Sequence, residues 1–325
     1  LPKDPFIRYR KSNLGEKVMR RNVLIVNFVL IATLLLSACA SSATPAAPAV
    51  EEPQSEAPVA EAPAAEEPVA ADPEGCLGSA DTAVVDLNCR EITIAVENAY
   101  LPFNYISIET GDPGGWDYDA WEEICTRLHC TPVFVEASWD GMIQAVSDGQ
   151  FDAAGDGITI TESRAEVVDF SIGYINIQQR LLVRLGEDRF TSIEEFAETD
   201  FQLGTQSNTT NYETAVEYLP EERISAFEQF PFAVQALLSG DVDAVIIDEV
   251  VGMGYMGENA DSLELIGPAI SSDELGFAFP LGSDLVDPIN QAIQSMMADG
   301  ALAELNVRYF GPAFDITYDD ILLED

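Results

Sequence analysis

The chain has 325 residues, with 57 Asp and Glu against 15 Lys and Arg, a formal net charge of −42. Seven of the basic residues fall within the first 38 positions, so the remainder carries no lysine, eight arginines and 55 acidic side chains. Acidity on that scale excludes nucleic acid as a partner and disfavours docking on anionic membrane surfaces, while it keeps a chain soluble.

Residues 1–18 precede a start-like Met19 and are set aside as an unassigned extension. Met19-Arg20-Arg21-Asn22 is a charged head, and Val23 to Leu36 is an apolar run short for a membrane span. Leu36-Ser37-Ala38-Cys39 has the form of a lipobox. Residues 19–38 therefore predict a cleaved bacterial lipoprotein signal, with lipid on Cys39 and an exported, membrane-anchored product. An uncleaved anchor is the alternative. Residues 39–75 are rich in Ala, Pro, Glu and Ser, too poor in large apolar side chains to order themselves. They predict a tether reaching roughly 30–35 Å as a flexible coil.

From residue 76 onward there is enough chain for one large domain or two small lobes. Four cysteines remain, Cys76, Cys89, Cys125 and Cys130. An even count in an exported chain predicts disulfides. Pairing nearest in sequence gives 76–89 and 125–130, with three connectivities open. The single histidine, His129, and the cysteine spacing do not fit a zinc ribbon, so neither metal nor cofactor is expected.

Short apolar runs alternate with amphipathic patterns. Residues 91–96 read as a strand and 117–128 as a helix, followed by a strand at 131–135, a helix at 140–147 and a strand from 151 to 154. The rhythm recurs as strand 201–204, a helix from Thr210, strand 224–227, helix 231–239 and strand 243–247. Pro288 to Phe310 predicts two helices joined at Asp299-Gly300. This alternation predicts an α/β fold with mostly parallel strands.

In such sheets ligands sit at the carboxyl ends of strands. The polar clusters Glu97-Asn98, Asp156-Gly157, Gln206 to Thr210, and Asp248 all fall there. With Arg164, a lone arginine after Thr159 and Thr161, they could converge on a zwitterion. The planar guanidinium suits a carboxylate. A helix N-terminus opening at Thr210 favours an anion. The plainer alternatives are that Arg164 is a structural ion-pair partner and that Asp248 caps the helix after its strand. Asp117 and Asp119 read as caps of the 117–128 helix.

Several segments together resemble one family. They are Tyr100-Leu-Pro-Phe103, Gly115-Trp-Asp-Tyr-Asp119, Trp139-Asp-Gly141, Asp148-Gly-Gln-Phe-Asp152, Thr159-Ile-Thr161-x-x-Arg164, Val168-Asp-Phe-Ser171, Asp243 to Asp248, and Asp299-Gly300 near Tyr309-Phe-Gly311. From about Glu91 to Gly311 the chain resembles the family 3 extracellular solute-binding proteins, amino-acid-binding components of ABC importers. The resemblance implies the two-lobe type II periplasmic-binding-protein fold, each lobe a mixed, mostly parallel sheet flanked by helices. Residues 76–182 with 277–325 are expected as lobe 1 and 183–276 as lobe 2. Crossover strands are expected near 181–185 and 275–279.

Carried over position by position, Arg164 is expected to pair with the ligand carboxylate, helped by Thr159, Thr209 and Thr210. Asp248 and the Gly157 carbonyl are expected to take the ammonium. Tyr100 and Trp139 form aromatic walls, with Glu97 and Asp156 toward the ligand side chain and Asn211 peripheral. Two departures stand out. Asn208 replaces the usual glycine before the second-lobe helix, and Asn tolerates the left-handed conformation. Asp156 replaces a small or hydroxylated residue. With Glu97 it favours a basic ligand over other polar amino acids, unless it caps local backbone or pairs with Arg164. The resemblance implies a monomeric, non-enzymatic binding protein that closes on an amino acid and delivers it to an ABC permease, without nucleic acid or cofactor. The alternatives are an arogenate-type dehydratase on the same fold and a sensory ligand-binding module.

Overall fold

The computed structural model describes residue 73, residues 75–259 and 261–311, and positions 314, 316, 317 and 320–323. The extension 1–18, the signal 19–38, Cys39 and nearly all of the 39–75 tether lie outside the described residues. Among the described residues no helix is long and apolar enough to cross a membrane.

The first half begins with β1 (Arg90–Val96) and a small sheet of β2 (Ala99–Tyr100), β3 (Asn104–Ile106) and β4 (Pro113–Gly114). There follow α1 (Trp116–Leu128), β5 (Cys130–Glu136), α2 (Met142–Ser147), β6 (Ala153–Ala154), α3 (Glu162–Ala165) and β7 (Val168–Phe170). The chain then runs through β8 (Ile175–Arg184), α4 (Ile193–Ala197), β9 (Leu203–Gln206), α5 (Thr210–Tyr218), β10 (Ile224–Phe227) and α6 (Phe230–Ser239). It ends with β11 (Ala244–Asp248), α7 (Glu249–Glu258), β12 (Leu263–Leu275), β13 (Ala278–Pro280), α8 (Val286–Asp299) and α9 (Ala301–Phe310).

Two five-stranded sheets result, ordered β5-β1-β6-β13-β7 and β10-β9-β11-β8-β12. In the first, β5, β1 and β6 are parallel, and β13 returns antiparallel between β6 and β7. In the second, β10, β9 and β11 are parallel, with β8 and β12 antiparallel beside them. Each sheet is covered on both faces, so its strands alternate between two cores. On β1, Ile92, Ile94 and Val96 enter one cluster and Ala95 another; on β11, Val245 and Ile247 part from Ala244 and Ile246 in the same way. This is the two-residue period of a strand expressed in packing.

The chain changes sheets twice. β7 ends at Phe170 in the first sheet, and β8 pairs with β12 from Ile175. Between Ile175 and Gln178, β8 pairs only with residues Ser272 to Leu275 of β12, a ribbon two strands wide. The lobe boundary expected at 182/183, and the crossover near 181–185, fall inside β8 where it already lies beside β11. By sheet membership the first change comes earlier, between Phe170 and Ile175, because β8 is one unbroken strand. The return crossing, from Leu275 to Ala278, lies within the expected 275–279. Backbone bonds tie the ribbon's end to lobe 1: Tyr174 N–H to the Leu275 carbonyl at 3.0 Å, Gly276 N–H to Ile158 at 2.9 Å, and Ile160 N–H to Glu274 at 2.9 Å.

Candidate functional site

The parallel strands of both sheets end at one place. Glu97 follows β1, Trp139 follows β5, Asp156 follows β6, Gln206 ends β9 and Asp248 ends β11. Between them lies a narrow cavity, partly open to solvent. All ten residues expected to contact ligand line it: Glu97, Tyr100, Trp139, Asp156, Gly157, Thr159, Arg164, Thr209, Thr210 and Asp248. Asn211 lines it too, together with Gln206 and Phe230, which sequence reasoning did not assign.

Arg164 sits on α3, whose start is capped by the Thr161 hydroxyl accepting from Arg164 N–H at 3.1 Å. Its Nη1 donates to the Thr159 carbonyl at 2.9 Å, and its guanidinium lies 5.3 Å from the Trp139 ring centre. It has no ion-pair partner among the described residues. Desolvation lowers its pKa, opposed by the more distant Glu213, Asp248 and Asp273. A desolvated guanidinium without a counter-ion is costly, so this is a poor structural ion pair and a good anion grip.

Across the cavity, Asp248 precedes α7, but its side chain makes no helix-capping bond. It accepts instead from the Tyr100 hydroxyl and from Asn211 Nδ2 at 3.2 Å. Burial raises its pKa to about 6, against those two bonds. Tyr100 is stacked on Phe103 and Phe230. Gly157 has φ +58°, and a Cβ there would stand 2.7 Å from Tyr100 Cε1. Only glycine brings its backbone this close to the ring.

Thr209 is the N-cap of α5: its hydroxyl accepts from Tyr212 N–H at 3.1 Å and donates to the Gln206 carbonyl at 2.8 Å. That hydroxyl is committed to the helix. Thr210 Oγ1 is free of the cap and meets Thr159 Oγ1 at 3.3 Å and Gln179 Nε2 at 3.1 Å. Asn208 holds φ +59°, the left-handed turn its position requires.

The acidic wall belongs to lobe 1. Glu97 and Asp156 are both buried, 8% and 3% exposed. Burial drives Glu97 well above the usual carboxylate range, and the Asp156 charge adds to this. Burial also raises Asp156, against hydrogen bonds from Asn104 and from Glu97 N–H. Asn104 Nδ2 donates to Asp156 Oδ1 at 2.6 Å and to Asp117 Oδ2 at 2.9 Å. Asp117 does not cap α1, as its place in the first turn suggests. The N-cap is Gly115, with no side-chain bond, and Asp117 is wholly buried behind the cavity. Asp119 pairs instead with Arg308.

Cys76 is bonded to Cys89, and Cys125 to Cys130. Cys76, Cys89 and His129 lie close enough together for metal ligation. Their sulfurs are bonded to each other, so the group is a disulfide with His129 Nε2 3.1 Å from Cys89 Sγ.

A profile of the bacterial extracellular solute-binding proteins, family 3, matches residues 92–312. The chain belongs to this family. Its relatives include the L-cystine-binding protein TcyJ of Escherichia coli strain K12, 26% identical over 229 residues, covering 68% of this chain and 82% of that one. The arginine-binding periplasmic protein of Mannheimia haemolytica is 26% identical over 234 residues, covering 70% and 94%. Among solved structures, an ancestral arginine-binding protein bound to arginine shares 30% identity, covers 68% of this chain and 98% of that one, and superimposes with a TM-score of 0.64. Family membership makes this a solute-binding protein of type II periplasmic-binding-protein fold.

Proposed function

We propose that this protein captures a basic amino acid outside the cell and hands it to an ABC permease. One observation carries the reading: an arginine with no ion-pair partner among the described residues and a buried aspartate, from opposite lobes, line one cavity. A free amino acid presents the matching carboxylate and ammonium. Arg164, Thr159, Thr210 and the start of α5 take the carboxylate. Asp248 and the Gly157 carbonyl take the ammonium. The side chain then extends toward Glu97 and Asp156, where a guanidinium or second ammonium relieves two crowded carboxyls. Relatives named for arginine, histidine, glutamine and cystine support an amino-acid ligand.

The protein acts as a monomer, exported and held at the membrane by lipid on Cys39. Substituting Cys39→Ser releases it to the soluble fraction; retention in membranes removes the anchor reading. It performs no turnover. Ligand recovered unchanged after incubation supports this, whereas a dehydrated product assigns Glu97 the part of a general acid.

The test of the ligand is a thermal-shift screen of the twenty amino acids plus ornithine and citrulline. A true ligand at one hundred times its Kd stabilises by about 2.7 kcal/mol. Arginine, lysine or ornithine should give the largest shifts. No shift with any amino acid overturns the reading. A larger shift with glutamate removes the basic preference alone.

A further inference from the structure

We propose that Asn104, which does not touch the cavity, is a specificity-determining positioning residue that holds the Asp156 carboxylate facing the ligand as an anion. The inference rests on the reading of the site as one for a basic amino acid. Asn104 is completely buried at the start of β3, one layer behind the cavity wall. Its amide is fully oriented by its neighbours. The Asn98 N–H donates to Oδ1 at 2.7 Å, which fixes the opposite edge as the donor. That NH2 group divides between Asp156 Oδ1 at 2.6 Å and Asp117 Oδ2 at 2.9 Å. An asparagine so held cannot rotate to present its oxygen to either carboxyl.

The two carboxyls it bridges are unequal. Asp156 lines the cavity and also accepts from Glu97 N–H at 3.3 Å. Asp117 has no exposure, and its Oδ1 has no hydrogen-bond partner. Burial raises Asp117 well above the carboxylate range, and the Asp156 charge raises it further. Asp117, enclosed and with one oxygen unpartnered, is thus held in surroundings that favour its neutral form, while Asp156 keeps two donors that favour its charge. The other titratable and charged groups around Asp156 come from several elements. Glu97 follows β1, Tyr118 lies on α1, Tyr174 lies before β8, and Glu136 ends β5 where Asn98 Nδ2 holds it at 2.7 Å. Arg164 and Asp248 face the cavity from α3 and from the second lobe. Asn104 supplies the side-chain donor that opposes burial at Asp156. Hydrogen bonding to the charged form favours it.

Calorimetry of the full chain with L-arginine and L-glutamine, from about pH 6 to about pH 9, tests this. Asn104→Ala removes the donor, so Asp156 should keep its proton to higher pH. Arginine binding should weaken roughly tenfold near neutrality, as expected for a lost hydrogen bond to a charged group. It should recover toward the alkaline end, while glutamine changes less than about twofold. Asn104→Ser, which keeps an acceptor for Asn98 N–H but cannot reach both carboxyls, should act in the same direction if the alanine variant folds poorly. In an Asp156→Asn background the arginine-to-glutamine ratio should no longer respond to Asn104. A wild type that prefers arginine, with that ratio and its pH profile unmoved in both Asn104 variants, overturns the inference alone. So does equal weakening of the two ligands, which marks a structural role. A wild type that prefers glutamine or glutamate overturns the basic-ligand reading and this inference with it.

Discussion

Arg164 carries five N–H donors and commits one to the Thr159 carbonyl, leaving its fork for an anion. Arg164→Ala should cost about 2–5 kcal/mol of ligand binding, roughly 30-fold to several-thousand-fold in Kd. Arg164→Lys should recover little, since a point charge cannot make two parallel bonds. Wild-type affinity in the alanine variant, by calorimetry, moves the carboxylate grip elsewhere. Asp248 gives a stability prediction of opposite sense. Its pKa rises on folding from the ordinary 3.8 to about 6, chiefly through burial. Between those values the folded protein holds more protons than the unfolded one, so stability falls as pH rises through that window. Above it the full cost remains, about 3 kcal/mol. Asp248→Asn should therefore unfold at higher urea than wild type at pH 7, match it near pH 4, and bind ligand poorly at both. Equal urea midpoints at pH 7 would show that Asp248 is not held at a cost for its ligand.

Helix α1 shows how an element is secured for the site at its other end. Its last carbonyls, which no helix can satisfy internally, accept from the N-terminal segment: Val84 N–H to Arg127 at 2.8 Å, Leu87 N–H to Leu128 at 2.8 Å, and Cys89 N–H to His129 at 2.9 Å. The Cys76–Cys89 bond staples that segment, while Cys125–Cys130 spans the helix end itself. The longer loop should matter more. Replacing Cys76 and Cys89 by serine should cost about 3 kcal/mol and replacing Cys125 and Cys130 about 2 kcal/mol, by urea unfolding. The reverse order would show that the N-terminal segment stays docked without its staple. The elements that periodicity found, such as β1, α1, β5, β10 and α6, are those with unbroken apolar spacing. It gave no bounds to α7, the helix expected after Asp248, because Gly252, Gly254 and Gly257 make a poor helix by propensity. Gly252 is there for packing: a Cβ would stand 2.9 Å from Leu265 Cδ2 on β12. It passed over β12 because Gly267-Pro268 interrupts the pattern, and the strand irregularity falls there, between Ile266 and Ser271. Of the cavity-lining residues, Glu97, Asp156, Gly157 and Asp248 were legible because they follow or end parallel strands, Arg164 because it is a lone arginine after a Thr-rich turn, and Trp139 through the resemblance alone. Gln206 was legible only as the first member of the Gln206 to Thr210 cluster, Phe230 carries no polar signal, and the Asn104–Asp117 contact joins residues whose burial no local pattern announces.

At the scale of the whole binding unit, the ribbon of β8 and β12 joins two sheets that also share one buried cluster, in which Tyr100 stacks on Phe230, and the cavity lies between the sheets. Side chains already cross it. Tyr100 donates to Asp248, Gln206 Nε2 to Glu97 at 3.1 Å, Trp139 Nε1 to the Asn208 carbonyl at 3.3 Å, and Asn208 Nδ2 to Asp140 at 2.9 Å. Two of these bonds occupy the carboxyls that a basic amino acid is expected to meet, so such a ligand competes with Tyr100 and Gln206 for the same groups. A ligand favours closure only by the difference between what it gains in the closed and open states. Bonds between the lobes that a ligand must replace reduce that difference, and they also raise the fraction of protein already competent to bind. Tyr100→Phe keeps the aromatic stack on Phe103 and Phe230 and removes the hydroxyl bond to Asp248. The empty variant should spend more time open, so small-angle scattering should record a larger contraction on adding ligand than in wild type. Affinity should move by less than about tenfold, because the ammonium gains an unoccupied Asp248 while closure loses one bond. Empty wild type and empty Tyr100→Phe with the same radius of gyration would mean that the ribbon and rim, rather than the cavity's own side chains, set how far the lobes stand apart.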